Sequence, residues 1–410
     1  MMRTKVCNRA IMLIAAMSVV IAGSTQLSAD TGMCGGSSTT LPFTDVPAAN
    51  IFFCSIAEAY FSGVTNGTTS TTYDPSANVP REQMAAFVSR AMDQSVKRAG
   101  KRAALGQFWT NSGGNNLALT AVGINPLLVK SDGADLWVAN NGASTVSRVR
   151  ASDGKLLDTW TGADAAYGVL IALGKVFVTG RFFANQGRLY QIDPTQPSGA
   201  VTTLSTAVGT APVGIAFDGQ RIWIANNGEP EAGSVSIITL NPVTVTHVTA
   251  GFFHPGGILY DGANIWVTDW VTDQGDRVIQ KLDSNGVVLQ SVPLDIGTNP
   301  GFPAFDGTNI WAPNPNANTV TVIRAATGSS GTVLATLSGN GLNYPEQAAF
   351  DGERILVTNA MGTSVSVWKA TDLTPIGTYS VGSGGNPFGV CSDGVNFWIT
   401  FPGSGMLARF

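Results

Sequence analysis

Chemistry in this chain has few side chains to draw on. There are 2 His and 4 Cys among 410 residues. One histidine without a second does not make a zinc site, which needs three or four ligands. Asp273-Gln274-Gly275-Asp276 is too sparse for a calcium loop of alternating carboxylates. No Gly-rich phosphate loop runs from a strand into a helix, and no Gly-x-Ser-x-Gly elbow sits in a strand–turn–helix setting. No metal and no cofactor is therefore expected. Any acid–base step would have to use His254, because His247 falls in the middle of an apolar-alternating strand. Binding chemistry is better represented. Residues 180–187 (GRFFANQG), 226–233 (NNGEPEAG) and 269–276 (DWVTDQGD) place aromatic and charged side chains side by side. Arg181, Phe182, Phe183, Glu229, Trp270 and Asp273, with Glu231 and Asp276, are candidates to grip a sugar or a peptide. The alternative is that they pack on one another.

These residues need a scaffold, and the sequence shows one that recurs. Pro126, Pro212, Pro255, Pro300, Pro345 and Pro387 each precede a glycine by seven positions. That glycine closes an Asp-Gly pair, at 132–133, 218–219, 261–262, 306–307, 351–352 and 393–394. Four residues later comes a large apolar residue: Trp137, Trp223, Trp266, Trp311, Leu356 or Trp398, with Phe177 marking a divergent second unit. Successive markers are 40, 46, 43, 45, 45 and 42 apart. A β-rich period of that length signals propeller blades. The third unit shows four strands, at 213–217, 221–225, 234–239 and 243–249. Asp-Gly takes the positive φ that a tight hairpin requires, so these aspartates read as turn residues.

The seventh unit ends after its third strand. Residues 117–123 (LALTAVG), ahead of the first unit, resemble a spare fourth strand. Adding it to the last blade seals the ring and removes an open edge. The expected fold is therefore mainly β. It is a seven-bladed propeller of four-stranded blades, spanning 115–410 and closed by an N-terminal strand, with a small α-helical module before it. Strand direction then puts the longer B–C loops of units two, three and four side by side on one face. Asn140, Asn226, Asp269, Asn314 and Asn359 all lie three positions after the strand-B marker. Their side chains either offer a ring of hydrogen bonds to a ligand or satisfy local backbone at strand ends.

Composition narrows the partners. Charged residues are 12% of the chain and the net charge is −4. Residues 1–29 read as a secretory signal peptide, with Arg3, Lys5 and Arg9 ahead of a 14-residue apolar stretch at 10–23. Its removal leaves 20 basic and 27 acidic residues, a net charge of −7. Such a surface disfavours nucleic acid. No other stretch is long and apolar enough to span a membrane. The expected address is secreted or bacterial cell envelope. Cys34 and Cys54 lie twenty apart in an exported segment and suit a disulfide. Cys391, in an inner strand, reads as a buried thiol.

Residues 30–95 form the helical module, joined by a polar linker at 96–114. Phe53, Ile56 and Tyr60 share one helical face, and a second helix after Val79 carries Met84, Phe87, Val88 and Ala91. Phe43-Thr44-Asp45-Val46, Ile56-Ala57-Glu58-Ala59, Gly63-Val64-Thr65-Asn66-Gly67, Tyr73-Asp74-Pro75 and Val79-Pro80-Arg81-Glu82-Gln83 together resemble one S-layer homology (SLH) repeat. The resemblance implies binding to cell-wall polysaccharide, with Arg81 at the position of the family's binding arginine. Pro80 stands where the family usually has Thr, and one repeat is present where three commonly build a site. Ala139-Asn140-Asn141-Gly142, Ala225-Asn226-Asn227-Gly228 and the Pro212-to-Gly219 segment resemble the YVTN and virginiamycin B lyase-like propellers. The lyases of that group use a His-and-acid site with a divalent metal on the loop face. That resemblance implies His254, with Asp269 and Glu231, as catalytic if the chain is an enzyme. The expected function is a binding protein of the cell envelope, tethered by the SLH-like module and presenting a protein- or carbohydrate-binding loop face. The alternative is a secreted lyase or hydrolase with its site over the central channel.

Overall fold

The computed structural model describes residues 31–34, 37–61, 64–81, 83–88, 118–151, 153–183, 186–228, 232–270, 277–295, 298–325, 332–382 and 385–410. The expected signal, 1–29, and linker, 96–114, lie outside the described residues. The chain divides into two units, with the boundary between Ser95 and Val96.

In the first unit, strands Thr31–Cys34 and Ser37–Thr40 pair antiparallel, and a helix runs over Phe53–Phe61. The strand pair was not expected from the sequence. Phe53 and Ile56 are buried with Leu41, Phe43 and Val46, as the helical spacing predicts, and Tyr60 packs against this core. The Cys34–Cys54 disulfide ties the first strand to the helix. Asp45 holds the 70s segment by accepting from the Tyr73 and Asp74 backbone N–H groups, at 2.8 and 2.7 Å. Residues 83–88 are helical. Met84 and Val88 of the expected apolar stripe are exposed.

The second unit is the seven-bladed propeller, each blade a four-stranded antiparallel sheet. Blade three matches its expected strands to within a residue or two, with Pro212–Phe217, Ile222–Asn226, Ser234–Leu240 and Val243–Val248. Blade seven takes strands Val390–Ser392, Phe397–Phe401 and Met406–Arg409 from the end of the chain. Its fourth strand is Ala118–Ala121, paired in register from Ala118 with Arg409 to Ala121 with Met406. The ring is thus sealed where the sequence predicts. The Thr120 hydroxyl adds a bond to the Gly154 carbonyl in blade one, at 2.5 Å.

Each blade is locked by its Asp-Gly turn. One oxygen of Asp306 accepts the Thr308 and Asn309 N–H groups, while the other accepts the indole N–H of Trp311 at 2.7 Å. Gly307 takes φ 94°, which a side chain would strain. Asp132, Asp218, Asp261 and Asp393 hold Trp137, Trp223, Trp266 and Trp398 in the same way. All five tryptophans are fully buried. Leu356 has no side-chain N–H to give, and there Arg354 bonds the second oxygen of Asp351 at 2.9 Å. The aspartates are turn residues, as expected, and they also satisfy a buried donor that would otherwise be costly.

At the axis some innermost strands approach too closely for a side chain. A Cβ on Gly389 would lie 2.1 Å from the Leu127 carbonyl oxygen across the seam between blades seven and one. Threonines two positions past the marker latch neighbouring blades. Thr179, Thr268, Thr358 and Thr400 donate to the carbonyls of Val213, Gly301, Phe388 and Leu127.

Candidate functional site

Each innermost strand starts at the face that carries the D–A and B–C loops, so its first residues rim the axis there. Tyr167, Phe302 and Phe388 come from this level of blades two, five and seven. Their rings close on one another, with centroids 6.1 to 6.5 Å apart. Leu128 and Val213 complete the cluster. Phe302 is buried, while Tyr167 and Phe388 keep part of their surface open. An apolar plug therefore floors the loop-face mouth of the channel.

Beside the plug stands Glu346, the second residue of strand Pro345–Phe350. It is 8% exposed. Among the described residues its backbone carbonyl accepts from Phe302 N–H at 2.9 Å, but no side-chain hydrogen bond or ion pair is seen. Burial raises its pKa to about 7, because a carboxylate loses hydration there that no donor replaces. Its charge acts on two phenols, Tyr167 across the axis and Tyr344 two residues upstream. Both are raised above the ordinary tyrosine value, mainly by burial and secondly by Glu346. Arg181, at the end of strand Lys175–Arg181, acts on Tyr167 in the opposite sense.

The residues singled out from sequence fall into several groups. Trp270 comes to the axis. Its indole lies against Gly256, where a Cβ would sit 3.0 Å from the indole nitrogen. Phe182 and Phe183 lie further out on blade two. The Arg188 guanidinium covers the Phe182 ring at 3.9 Å and reaches the Asp164 carboxylate at 3.7 Å, while Phe183 is 83% exposed. Phe182 thus packs within its own loop, and Phe183 stands free of the core. Glu229, Glu231 and Asp273 lie outside the described residues, as does Asp276. Arg81 is exposed on the N-terminal unit.

Asn226 and Asn314 are fully buried instead of facing a ligand. Their amide nitrogens donate to Ser234 and Ser236, and to Thr319 and Thr321, at 2.8 to 3.1 Å. Asn140 and Asn359 bond the same two positions of their own blades. The asparagines tie strand B to strand C. Asp269 accepts the backbone N–H groups of Phe253 and His254, at 3.0 and 2.8 Å. The His254 ring instead bonds the Asn227 carbonyl through Nδ1 at 2.9 Å and packs edge-on to Phe253 at 4.5 Å. A carbonyl only accepts, so Nδ1 carries a proton. His254 and Asp269 therefore meet through the backbone, and no imidazole–carboxylate pair forms between them. Cys391 is a buried free thiol whose pKa burial pushes up.

The axial cluster, which draws on the proline position and the two after it, was missed, although stacking the repeats singles out Glu346. The residues after the recurring proline are Leu127, Val213, Gly256, Gly301, Glu346 and Phe388, with Gly168 in the divergent unit. Glu346 is the only charged one.

No protein-family model matches the chain, and no curated protein matches it in sequence. Solved structures do match. A streptogramin B lyase structure superimposes with a TM-score of 0.57 at 16% identity, covering 72% of this chain and 97% of that one. Hydrazine synthase from Kuenenia stuttgartiensis gives 0.57 at 15% identity, covering 74% and 98%. The computationally designed protein Ika8 gives 0.52 at 11% identity, covering 70% and 83%. At these identities the likeness is one of fold, and it assigns the C-terminal unit to the β-propellers.

Proposed function

We propose that this chain is a binding protein of the cell envelope. Its propeller takes a ligand at the loop-face mouth of the axial channel, and its N-terminal unit tethers it to cell-wall polysaccharide through Arg81. The observation that carries the ligand site is Glu346, a buried carboxyl with no side-chain partner among the described residues, whose charge reaches the phenol of Tyr167. Folding rarely leaves such a group unpaired, and where it does a functional role is the first hypothesis. The Cys34–Cys54 disulfide supports an oxidising compartment. The binding reading is favoured over a lyase reading because Asp269 is spent on backbone and His254 on a carbonyl. Neither faces the other as an acid–base pair.

Two measurements on the full chain test the two halves. The wild type is expected to sediment with purified cell-wall polysaccharide and Arg81→Ala to remain in solution; equal retention removes the tether. On carbohydrate and peptide arrays, Tyr167→Ala with Trp270→Ala is expected to lose spots that the wild type retains. Identical array patterns would place the ligand elsewhere.

A further inference from the structure

We propose that the channel mouth binds an organic cation, an ammonium or guanidinium group carried by the ligand, between the Glu346 carboxylate and the π faces of Tyr167, Phe388 and Trp270. This rests on the loop-face reading above and names the class of ligand. Three observations converge on it. Glu346 is buried at the axis and has no side-chain partner among the described residues. Its charge reaches Tyr167, whose ring packs with those of Phe302 and Phe388 at the mouth. Among the described residues no Lys or Arg pairs with the Glu346 carboxyl, and burial is the cause of its raised pKa.

Among the described residues nothing around that charge compensates it. Segments 300–305 and 386–390, which flank it in the ring, hold no titratable side chain. The paired strand Arg354–Asn359 has one cation, Arg354, bound to Asp351 at the far end of the blade. Among the described residues the remaining titratable groups are Tyr167 and Tyr344, both held neutral, and Arg181, which acts on Tyr167. A buried carboxylate without a counter-ion is costly. An incoming cation removes that cost and gains the negative faces of the aromatic rings, which attract cations most when water is excluded. A neutral or anionic ligand gains neither. The plug formed by Phe302, Tyr167 and Phe388 stops the ligand from passing down the channel, so the cationic group lodges at the mouth.

Choline titrated into the full chain by calorimetry provides the test, with 3,3-dimethyl-1-butanol as its uncharged isostere and sodium chloride as the ionic-strength control. Saturable choline binding is expected, about tenfold tighter at pH 8 than at pH 6 as the carboxyl ionises. Glu346→Gln is expected to weaken it at least about tenfold, and Tyr167→Leu to weaken it several-fold, since each removes one half of the recognition. Choline bound equally by Glu346→Gln overturns the proposal. Equal affinity for the alcohol overturns the cationic class and leaves the mouth as a site for an apolar ligand. No binding of either probe, with array spots still lost on Tyr167→Ala and Trp270→Ala, overturns the cationic class while the binding reading stands.

Discussion

Proline at both 119 and 120 is expected to open the ring. Strand Ala118–Ala121 is the only link between the end of blade seven and the chain ahead of blade one that completes a sheet. In an antiparallel pair successive N–H groups alternate between facing the partner and facing away. Two adjacent prolines therefore remove at least one ladder donor, whichever residue points inward, and place a ring against Met406–Arg409. The lost strand would leave that segment as an exposed edge. The cost should be about 3 kcal/mol or more, the sum of lost ladder bonds, lost burial and a fixed φ. Eight of the nine tryptophans lie in the propeller and the ninth, Trp109, in the linker, so fluorescence in urea follows the propeller without a signal from the N-terminal unit. The double-proline chain is expected to unfold at clearly lower urea and to associate through the open edge. Leu119→Ala with Thr120→Ser keeps both N–H groups and the hydroxyl bond to Gly154 and should stay near the wild type. A double-proline midpoint equal to the wild type would mean that the ring is held without this strand.

Glu346→Gln is expected to stabilise the propeller, in a way that depends on pH. The folded carboxyl has its pKa raised to about 7, against an ordinary value of 4.5. Below 4.5 both folded and unfolded chains hold the proton, and the group contributes nothing. As pH rises toward 7 the unfolded chain gives up its proton while the folded chain keeps it, so stability falls. Above 7 the loss levels off at about 3 kcal/mol. Glutamine has the same shape and never ionises. The variant should therefore match the wild type near pH 4 and melt higher at pH 8, the gap opening between 4.5 and 7. A gap of the opposite sign at pH 8 would mean that a partner stabilises the charged form. A site that lowers the stability of its own scaffold is a recurring mark of function.

The ring was legible because its signals are local and repeated. Asp306-Gly307 fixes a hairpin through φ, and Trp311 fixes a buried face, without reference to anything distant. The missing fourth strand of blade seven was legible because an open edge has a general cost. The site was less legible because it depends on which way a loop residue turns. Trp270 folds inward over Gly256, whereas Phe182 stays on blade two under Arg188. Both look alike as aromatics beside charges. Asn226 reads as an offered amide, and the structure ties it to Ser234 and Ser236. Those serines lie eight and ten positions away, and only pairing of strands B and C brings them together. Glu346 escaped attention for a different reason. A single acid between Pro345 and Gln347 has no motif, and its importance comes from its burial where the blades meet.

The charge state of Glu346 tests the account most directly. With six glutamates in the chain, carbon-13 labelling at the glutamate carboxyl gives few resonances, and Glu346→Gln identifies the one at the axis. In the free full-length chain that resonance is expected to titrate near 7, and choline is expected to lower its midpoint as the cation holds the carboxylate ionised. A midpoint near 4.5, unmoved by choline, would mean that Glu346 is hydrated or already paired, and the channel mouth would lose the feature on which its function rests.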